Sequence, residues 1–112
     1  MVSQGDIFYV NFGSSEGHEQ MKHRPAIALS NDLVARTSNM TIAAPISSTE
    51  RSFPMHYKLS SSKIIHGKVL LDQTIALDLH ARSVQDEDIV DKVSKNELAD
   101  IIYNYKLLFS ID

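Results

Sequence analysis

The 112-residue chain contains no cysteine. This absence excludes disulfides, thiolate zinc sites and a cysteine nucleophile, and it is typical of proteins in a reducing compartment. No apolar run approaches the roughly 20 residues needed to span a bilayer, and residues 1–6 lack the basic-then-apolar pattern of a signal peptide. We therefore expect one domain over residues 1–112, without membrane contact and located in the cytoplasm.

The chain has little positive charge, with a formal net charge of -3. This argues against a general nucleic-acid coat, because non-specific affinity comes mainly from Lys and Arg on phosphates. A local basic cleft is still compatible with that total. Lys22, His23 and Arg24 are consecutive, His18 lies just upstream, and acidic residues gather at 85–88.

Short apolar and β-branched runs predict a β-rich chain. The predicted strands are residues 7–12, 25–30, 40–47, 55–59 and 68–77. Pro25 is expected at the first position of its strand, and Pro45 indicates an edge strand or a bulge. Residues 31–34 are expected to start a helical turn capped by Asn31 or Ser30.

The carboxy-terminal residues change to a helical period. Ser94 and Glu97 have the spacing of a capping box, in which each side chain bonds the other residue's backbone N–H. An apolar stripe at helical spacing follows, formed by Leu98, Ile101, Ile102, Tyr105, Leu108 and Phe109. The pattern predicts a small, strongly curved antiparallel sheet or partly open barrel, mainly β, with helices at its side.

The loop before Arg24 carries the side chains that phosphate chemistry needs. A zinc-protease helix requires two histidines at i and i+4, whereas His18 and His23 are five apart in a glycine-rich loop, so we predict no metal and no cofactor. Cleavage of RNA by its own 2′-OH needs a base, an acid and fixed positive charge. His18, Glu19, His23 and Arg24 offer all three. A mobile polar loop is the alternative interpretation.

Several segments together resemble the MazF/PemK (Kid) family of toxin endoribonucleases. They are Gly5-Asp6-Ile7, Gly17-His18-Glu19-Gln20, Arg24-Pro25-Ala26-Ile27, Ser30-Asn31-Asp32, Ala44-Pro45-Ile46-Ser47-Ser48, and Leu71-Asp72-Gln73 followed by Leu77-Asp78. Their order along the chain makes the likeness more specific than any one of them.

The resemblance implies an SH3-like barrel of the CcdB/PemK type with a carboxy-terminal helix. It also implies a homodimeric toxin that cuts single-stranded mRNA sequence-selectively without a metal, leaves a 2′,3′-cyclic phosphate, and binds a cognate antitoxin and, in that complex, DNA. By the same likeness, Arg24, Ser47, His18 and Asp78 are the catalytic residues. The expected RNA-binding residues are Glu19, Gln20, Lys22, His23, Ser48 and Gln73.

Two positions depart from the family pattern. Ile75 stands where the family has a second Arg, which moves the phosphate chemistry to Arg24, helped by Lys22 or Arg82. Ser47 replaces a Thr but keeps the hydroxyl. The alternative function is a weakened or inactive toxin-like module that binds antitoxin or RNA without cutting. A gyrase poison is disfavoured because those proteins rely on a carboxy-terminal Trp, and this chain has none.

Structural roles compete with the catalytic ones at three of these positions. Arg24 can pair with Glu19 or Asp78 to hold the loop. Ser47 can be a strand-end hydroxyl that bonds the backbone. Asp78 can cap the turn at residues 79–82.

Overall fold

The computed structural model describes residues 1–12 and 23–112. Within these residues the chain forms seven strands, two α-helices and three short 3-10 turns. The strands are β1 (Asp6–Asn11), β2 (His23–Ala28), β3 (Thr41–Ser47), β4 (His56–Lys58), β5 (Lys68–Leu70), β6 (Ile75–Leu77) and β7 (Ile89–Lys92); the helices are α1 (Asp32–Ser38) and α2 (Lys95–Lys106); the 3-10 turns are Leu71–Gln73, Asp86–Asp88 and Leu107–Phe109.

All strand pairs are antiparallel, and the strands follow the order β4-β5-β3-β2-β1-β7, with β6 also paired to β3. The β-rich fold with a carboxy-terminal helix is confirmed. The first four predicted strands correspond to β1 through β4.

The single strand predicted over residues 68–77 is wrong. The chain forms β5, then the 3-10 turn Leu71–Gln73, then β6. The polar Asp72 and Gln73 are exposed on this turn, whereas Leu71 is buried in the core. The turn lets both short strands pair with different parts of β3. Strand β7 was not predicted, because its four residues have no clear alternation.

Pro25 and Pro45 lie inside strands rather than at the expected positions. Pro45 lies in β3, an interior strand that pairs with β2 on one side. On its other side β3 pairs with β6 through Ala43 and with β5 from Ile46, so Pro45 falls in the gap between these partners. Pro25 is the third residue of β2, just before pairing with β3 begins at Ala26. A residue without an N–H is tolerated at such breaks in a ladder.

The sheet has an apolar core on each face. One face carries Ile7, Ile27 and Ile46, and it is covered by α2 through Ile101 and the half-buried Leu98 and other stripe residues. The predicted stripe is thus confirmed except for Phe109, which is 68% exposed because it lies beyond α2 in the last 3-10 turn.

The other face carries a second apolar cluster, which includes Phe8, Ala26 and Ala43. Leu79 and Val84, from the connection between β6 and β7, pack against it. We call this side of the sheet the second face. It is the side on which the candidate site lies.

The helix starts follow the predicted caps in part. Asn31 caps α1, since its side chain accepts the N–H groups of Leu33 and Val34. Ser94 caps α2 by accepting the N–H of Glu97 at 3.1 Å. No helix in the described ranges has the length and apolar character needed to cross a membrane.

The second half of the predicted capping box is wrong. Glu97 does not bond the backbone of Ser94, because the Ser94 N–H donates to the Ser61 hydroxyl instead. The Glu97 carboxylate is buried and accepts the backbone N–H groups and hydroxyls of Ser60 and Ser61.

Candidate RNA-cleaving site

Arg24 and Ser47 lie on the second face at the same end of the β2–β3 ladder, each two residues beyond its last pair. Strands β2 and β3 pair through Ala26 with Pro45 and Ala28 with Ala43. The same antiparallel register, if continued two residues beyond the last pair, sets Arg24 opposite Ser47. Alternate residues of a strand share a face, so both lie on the side of Ala26 and Ala43. The register thus joins two residues that are distant in the chain.

Lys68 extends this pair into a positively charged row. It is the direct partner of Ser47 across β3 and β5, and Lys58 is its partner in β4. Directly opposed residues in antiparallel strands have Cβ atoms about 5 Å apart on one face. We call Arg24, Ser47, Lys68 and Lys58 the basic row. The row is a local cluster of positive charge in a chain whose formal net charge is -3.

Gly67 is needed for the pairing of Lys68 with Ser47. Its φ is +144°, a conformation that L side chains rarely adopt, and a Cβ at this position would lie 2.5 Å from the Ser47 carbonyl oxygen. The side chain of Lys68 is also fixed, because its Nζ donates to the Arg51 carbonyl at 2.6 Å and the Glu50 carbonyl at 3.4 Å. The ammonium is therefore held beside the segment that follows Ser47.

The Ser47 hydroxyl bonds the backbone as a strand-end hydroxyl does, yet it keeps a proton to give. Its Oγ accepts the N–H of Thr49 at 3.1 Å. This bond uses the oxygen as an acceptor, which leaves the O–H free to donate to a phosphate oxygen. Both interpretations of Ser47 are therefore compatible.

Arg82 brings a further cation close to the row. Its guanidinium donates to the Asn11 carbonyl at 2.7 Å. Asn11 follows Val10, the partner of Arg24 in β1. The exposed Arg24 makes no ion pair with Asp78 or with any other carboxylate in the described part of the chain, so its guanidinium remains available for an anion there.

Asp78 lies far from the basic row within one chain. It follows Leu77, the partner of Thr41 at the opposite end of β3 from Ser47, which is about 20 Å along the strand. Its carboxylate accepts the N–H of Ala81 at 3.0 Å, as the turn-capping interpretation predicts. The structure does not bring Asp78 and Ser47 together.

The remaining candidates are spread around the row. Gln73 is exposed on the turn between β5 and β6, and Ser48 is exposed directly after β3. His23 is exposed at the start of β2, with its ring 5.7 Å from that of Tyr9. The catalytic candidate His18 and the RNA-binding candidates Glu19, Gln20 and Lys22 lie outside the described residues.

Ile75, at the position of the family's second Arg, is 43% exposed on the second face. It pairs with Ala43, four residues and about 13 Å along β3 from Ser47. The backbone of Lys68 is therefore nearer to the Ser47 hydroxyl than the backbone of Ile75 is. Sequence reasoning missed Lys68 and Lys58, because their place depends on pairing between strands that are not adjacent in sequence.

The clear pKa shifts lie away from this row. Burial and a hydrogen bond to Asp100 raise the pKa of Tyr57, and the Ser62 hydroxyl holds the pKa of Asp91 below its usual value. Within residues 1–12 and 23–112, no group of three or more acidic or histidine side chains is placed to hold a metal ion.

Comparison with known proteins shows which family this chain belongs to. Residues 3–109 match the family model described as PemK-like, MazF-like toxin of type II toxin-antitoxin system. The chain belongs to this family. The MazF-like resemblance seen in the sequence is thereby confirmed.

Curated MazF-like relatives come from Escherichia coli K12. The endoribonuclease toxin ChpB is 37% identical over 87 residues, covering 70% of this chain and 72% of that protein. The endoribonuclease toxin MazF is 31% identical over 78 residues, covering 70% and 69%. Because both relatives are endoribonucleases, the non-cutting alternative is not favoured.

A solved MazF structure shares the fold over nearly the whole chain. The MazE-MazF complex from Deinococcus radiodurans superposes with a TM-score of 0.82 at 24% identity, and the match covers 98% of this chain and 96% of that one. The MazF-like fold is thus established independently of the sequence motifs.

Proposed function

We propose that this MazF-like chain is a sequence-selective endoribonuclease that cuts single-stranded RNA without a metal ion. The observation that carries the proposal is the basic row, in which the Ser47 hydroxyl lies between Arg24 and Lys68. The row combines a planar guanidinium, a hydroxyl donor and a fixed ammonium on one face.

The arrangement suits the attack of a 2′-OH on the adjacent phosphorus. The new O–P bond forms as the bond to the 5′ oxygen breaks, which leaves a 2′,3′-cyclic phosphate and a 5′-hydroxyl. Negative charge builds on the phosphate oxygens in the transition state. Arg24 can bind two of these oxygens through its planar fork, while Ser47 donates a hydrogen bond.

Lys68 compensates for the charge that Ile75 does not supply. It lies opposite Ser47 and is held by two carbonyl groups, so its charge is fixed before substrate binds. Preorganised charge is what stabilises a transition state most effectively. We retain His18 and Asp78 as acid–base candidates, with Asp78 requiring a second chain or a rearrangement to reach the row.

We further propose that a cognate antitoxin binds the basic row and that the protein forms a homodimer. Some of the structural neighbours are complexes of an endoribonuclease toxin with its antitoxin. An acidic antitoxin segment would match the charge of the row. Tyr103 and Phe109, which are 63% and 68% exposed, are available for contacts between copies.

The test is RNA cleavage in EDTA by the wild-type chain and by Arg24→Ala. We expect discrete fragments with 2′,3′-cyclic phosphate ends from the wild type, and a rate reduced at least a hundredfold in the variant, because removal of one transition-state donor commonly costs about 10²–10³ in rate. Arg36→Ala is the matched control, since Arg36 is exposed on α1. Intact RNA across varied sequences would refute the proposal.

A further inference from the structure

Phe53 is a large apolar side chain that stays 46% exposed beside the basic row. The Arg51 guanidinium lies over its ring at 5.3 Å from the centroid. The ring of His56 meets it edge to face, with centroids 5.1 Å apart. Phe53 thus presents an exposed aromatic ring with a cation against it, and it is not an isolated apolar side chain.

One contact and the layout of the strands place this ring close to the basic row. The Lys68 ammonium bonds the Arg51 carbonyl at 2.6 Å. His56 precedes Lys58 by two residues in β4, so both lie on the second face. Strand β4 is two strands from β3, which corresponds to about 10 Å at the usual spacing. A nucleotide next to a phosphate at Ser47 can therefore reach Phe53.

The segment that carries Phe53 is restricted by a backbone turn and by a proline. The backbone N–H of His56 donates to the Phe53 carbonyl at 2.9 Å, which closes a tight turn. Pro54 follows Phe53 and restricts the backbone on both sides of their bond. The turn and Pro54 restrict the backbone of Phe53, and its ring contacts Arg51 and His56 before any ligand binds.

A single-stranded nucleic acid supplies the ligand chemistry that matches this surface. Unpaired bases stack on aromatic rings and arginine planes, while the backbone phosphates follow nearby cations. We propose that Phe53 is a stacking platform for a base of single-stranded RNA next to the cleaved bond, with Arg51 adding positive charge beside it. This inference rests on the proposed function and assigns a base-binding subsite to it.

The absence of tryptophan from the chain allows a direct test. In Phe53→Trp the new indole is the only tryptophan, so its fluorescence reports on this position alone. The probe is a 2′-O-methyl RNA of mixed sequence, which cannot be cut because its attacking hydroxyl is blocked. We expect strong quenching on RNA addition. Leu33→Trp is the matched control, because Leu33 is exposed on α1, which follows the end of β2 opposite to Arg24; we expect little change there.

A second measurement separates base stacking from charge. In Phe53→Leu, affinity for the same RNA should fall about five- to hundredfold, the range for loss of one stacked base, whereas affinity for inorganic polyphosphate should not change. An equal loss for both probes would overturn the stacking role, and so would absence of quenching in Phe53→Trp when anisotropy shows that RNA is bound.

If the wild type binds RNA without cutting it, the proposed cleavage fails while quenching still supports the subsite. Absence of any RNA binding overturns both.

Discussion

Replacement of Glu97 by Gln tests how the carboxy-terminal helix is attached to the sheet. The buried carboxylate accepts the Ser60 N–H at 2.7 Å, the Ser60 hydroxyl at 2.9 Å and the Ser61 N–H at 2.8 Å, and it also accepts the Ser61 hydroxyl. Gln has nearly the same shape, but one oxygen becomes an NH₂ group that donates. The two donors on that oxygen, which belong to one serine, then lose their acceptor. The two donors of the other serine keep an acceptor, but it is no longer charged.

The magnitude follows from these four bonds. A hydroxyl can turn to accept from the new NH₂, but a backbone N–H cannot, so one part-buried donor is left without a partner; the cost is about 1–3 kcal/mol for a fully buried donor. The bonds that remain lose the added strength of a charged acceptor. We expect the free energy of unfolding to fall by about 2–4 kcal/mol, a large part of the roughly 5–15 kcal/mol typical of a domain.

The pH dependence of Glu97 provides a second signature. Burial alone would raise its pKa, but the hydrogen bonds from Ser61 and Ser60 outweigh burial and lower the pKa below the ordinary 4.5. The unfolded chain therefore binds the proton more tightly than the folded chain does. The stabilisation is fully present above pH 4.5 and is lost as the pH falls through the lower folded value. Glu97→Gln should remove this part of the acid sensitivity.

The assay is urea unfolding followed by circular dichroism at pH 7 and below pH 4, at one fixed protein concentration. Asp100→Asn is the matched control, because Asp100 lies on the same helix and accepts one bond, from the Tyr57 hydroxyl at 2.8 Å, at an exposed position. We expect the control to lose less than about 1 kcal/mol. Equal losses in the two variants, or an unchanged acid slope in Glu97→Gln, would refute the reasoning.

Two further predictions concern the basic row. Lys68→Met should slow RNA cleavage about tenfold or more, while Lys58→Met, one strand further from Ser47, should have a smaller effect. Single-turnover rates at saturating protein measure both effects. Equal rates in the two variants would contradict the greater importance of Lys68. Ile75→Arg should raise the rate several-fold because the exposed position accepts a long charged side chain without burial; an unchanged rate would mean that charge at this position does not reach the phosphate.

The main strands and α2 could be predicted because their apolar periods are long enough to be unambiguous. The apolar run at 68–77 led to the wrong prediction of one strand, because only its pairing with two parts of β3 shows that Asp72 and Gln73 form a turn. Glu97 had the spacing of a capping box, but Ser61 takes the backbone group that Glu97 was expected to bond. Local patterns cannot reveal such competition from a distant segment.

The site was predictable only as separate segments. Arg24 and Ser47 were identified from their motifs, but their proximity depends on the register between β2 and β3. Lys68 and Phe53 carry no motif at all; strand pairing places Lys68 opposite Ser47, and a ring contact places Phe53 against His56 of β4. By contrast, Asp78 belonged to a motif and yet lies at the other end of β3.

Strand β3 is the one that pairs with three others in the described sheet, namely β2, β5 and β6. Ser47 is its last residue, and its backbone pairs with Lys68 of β5. Phe53 and Arg51 instead lie in the connection to the short strand β4. The residues of the proposed base-binding subsite can therefore be exchanged during evolution at little risk to folding, while the proposed phosphate-binding hydroxyl lies on the most extensively paired strand of the described sheet.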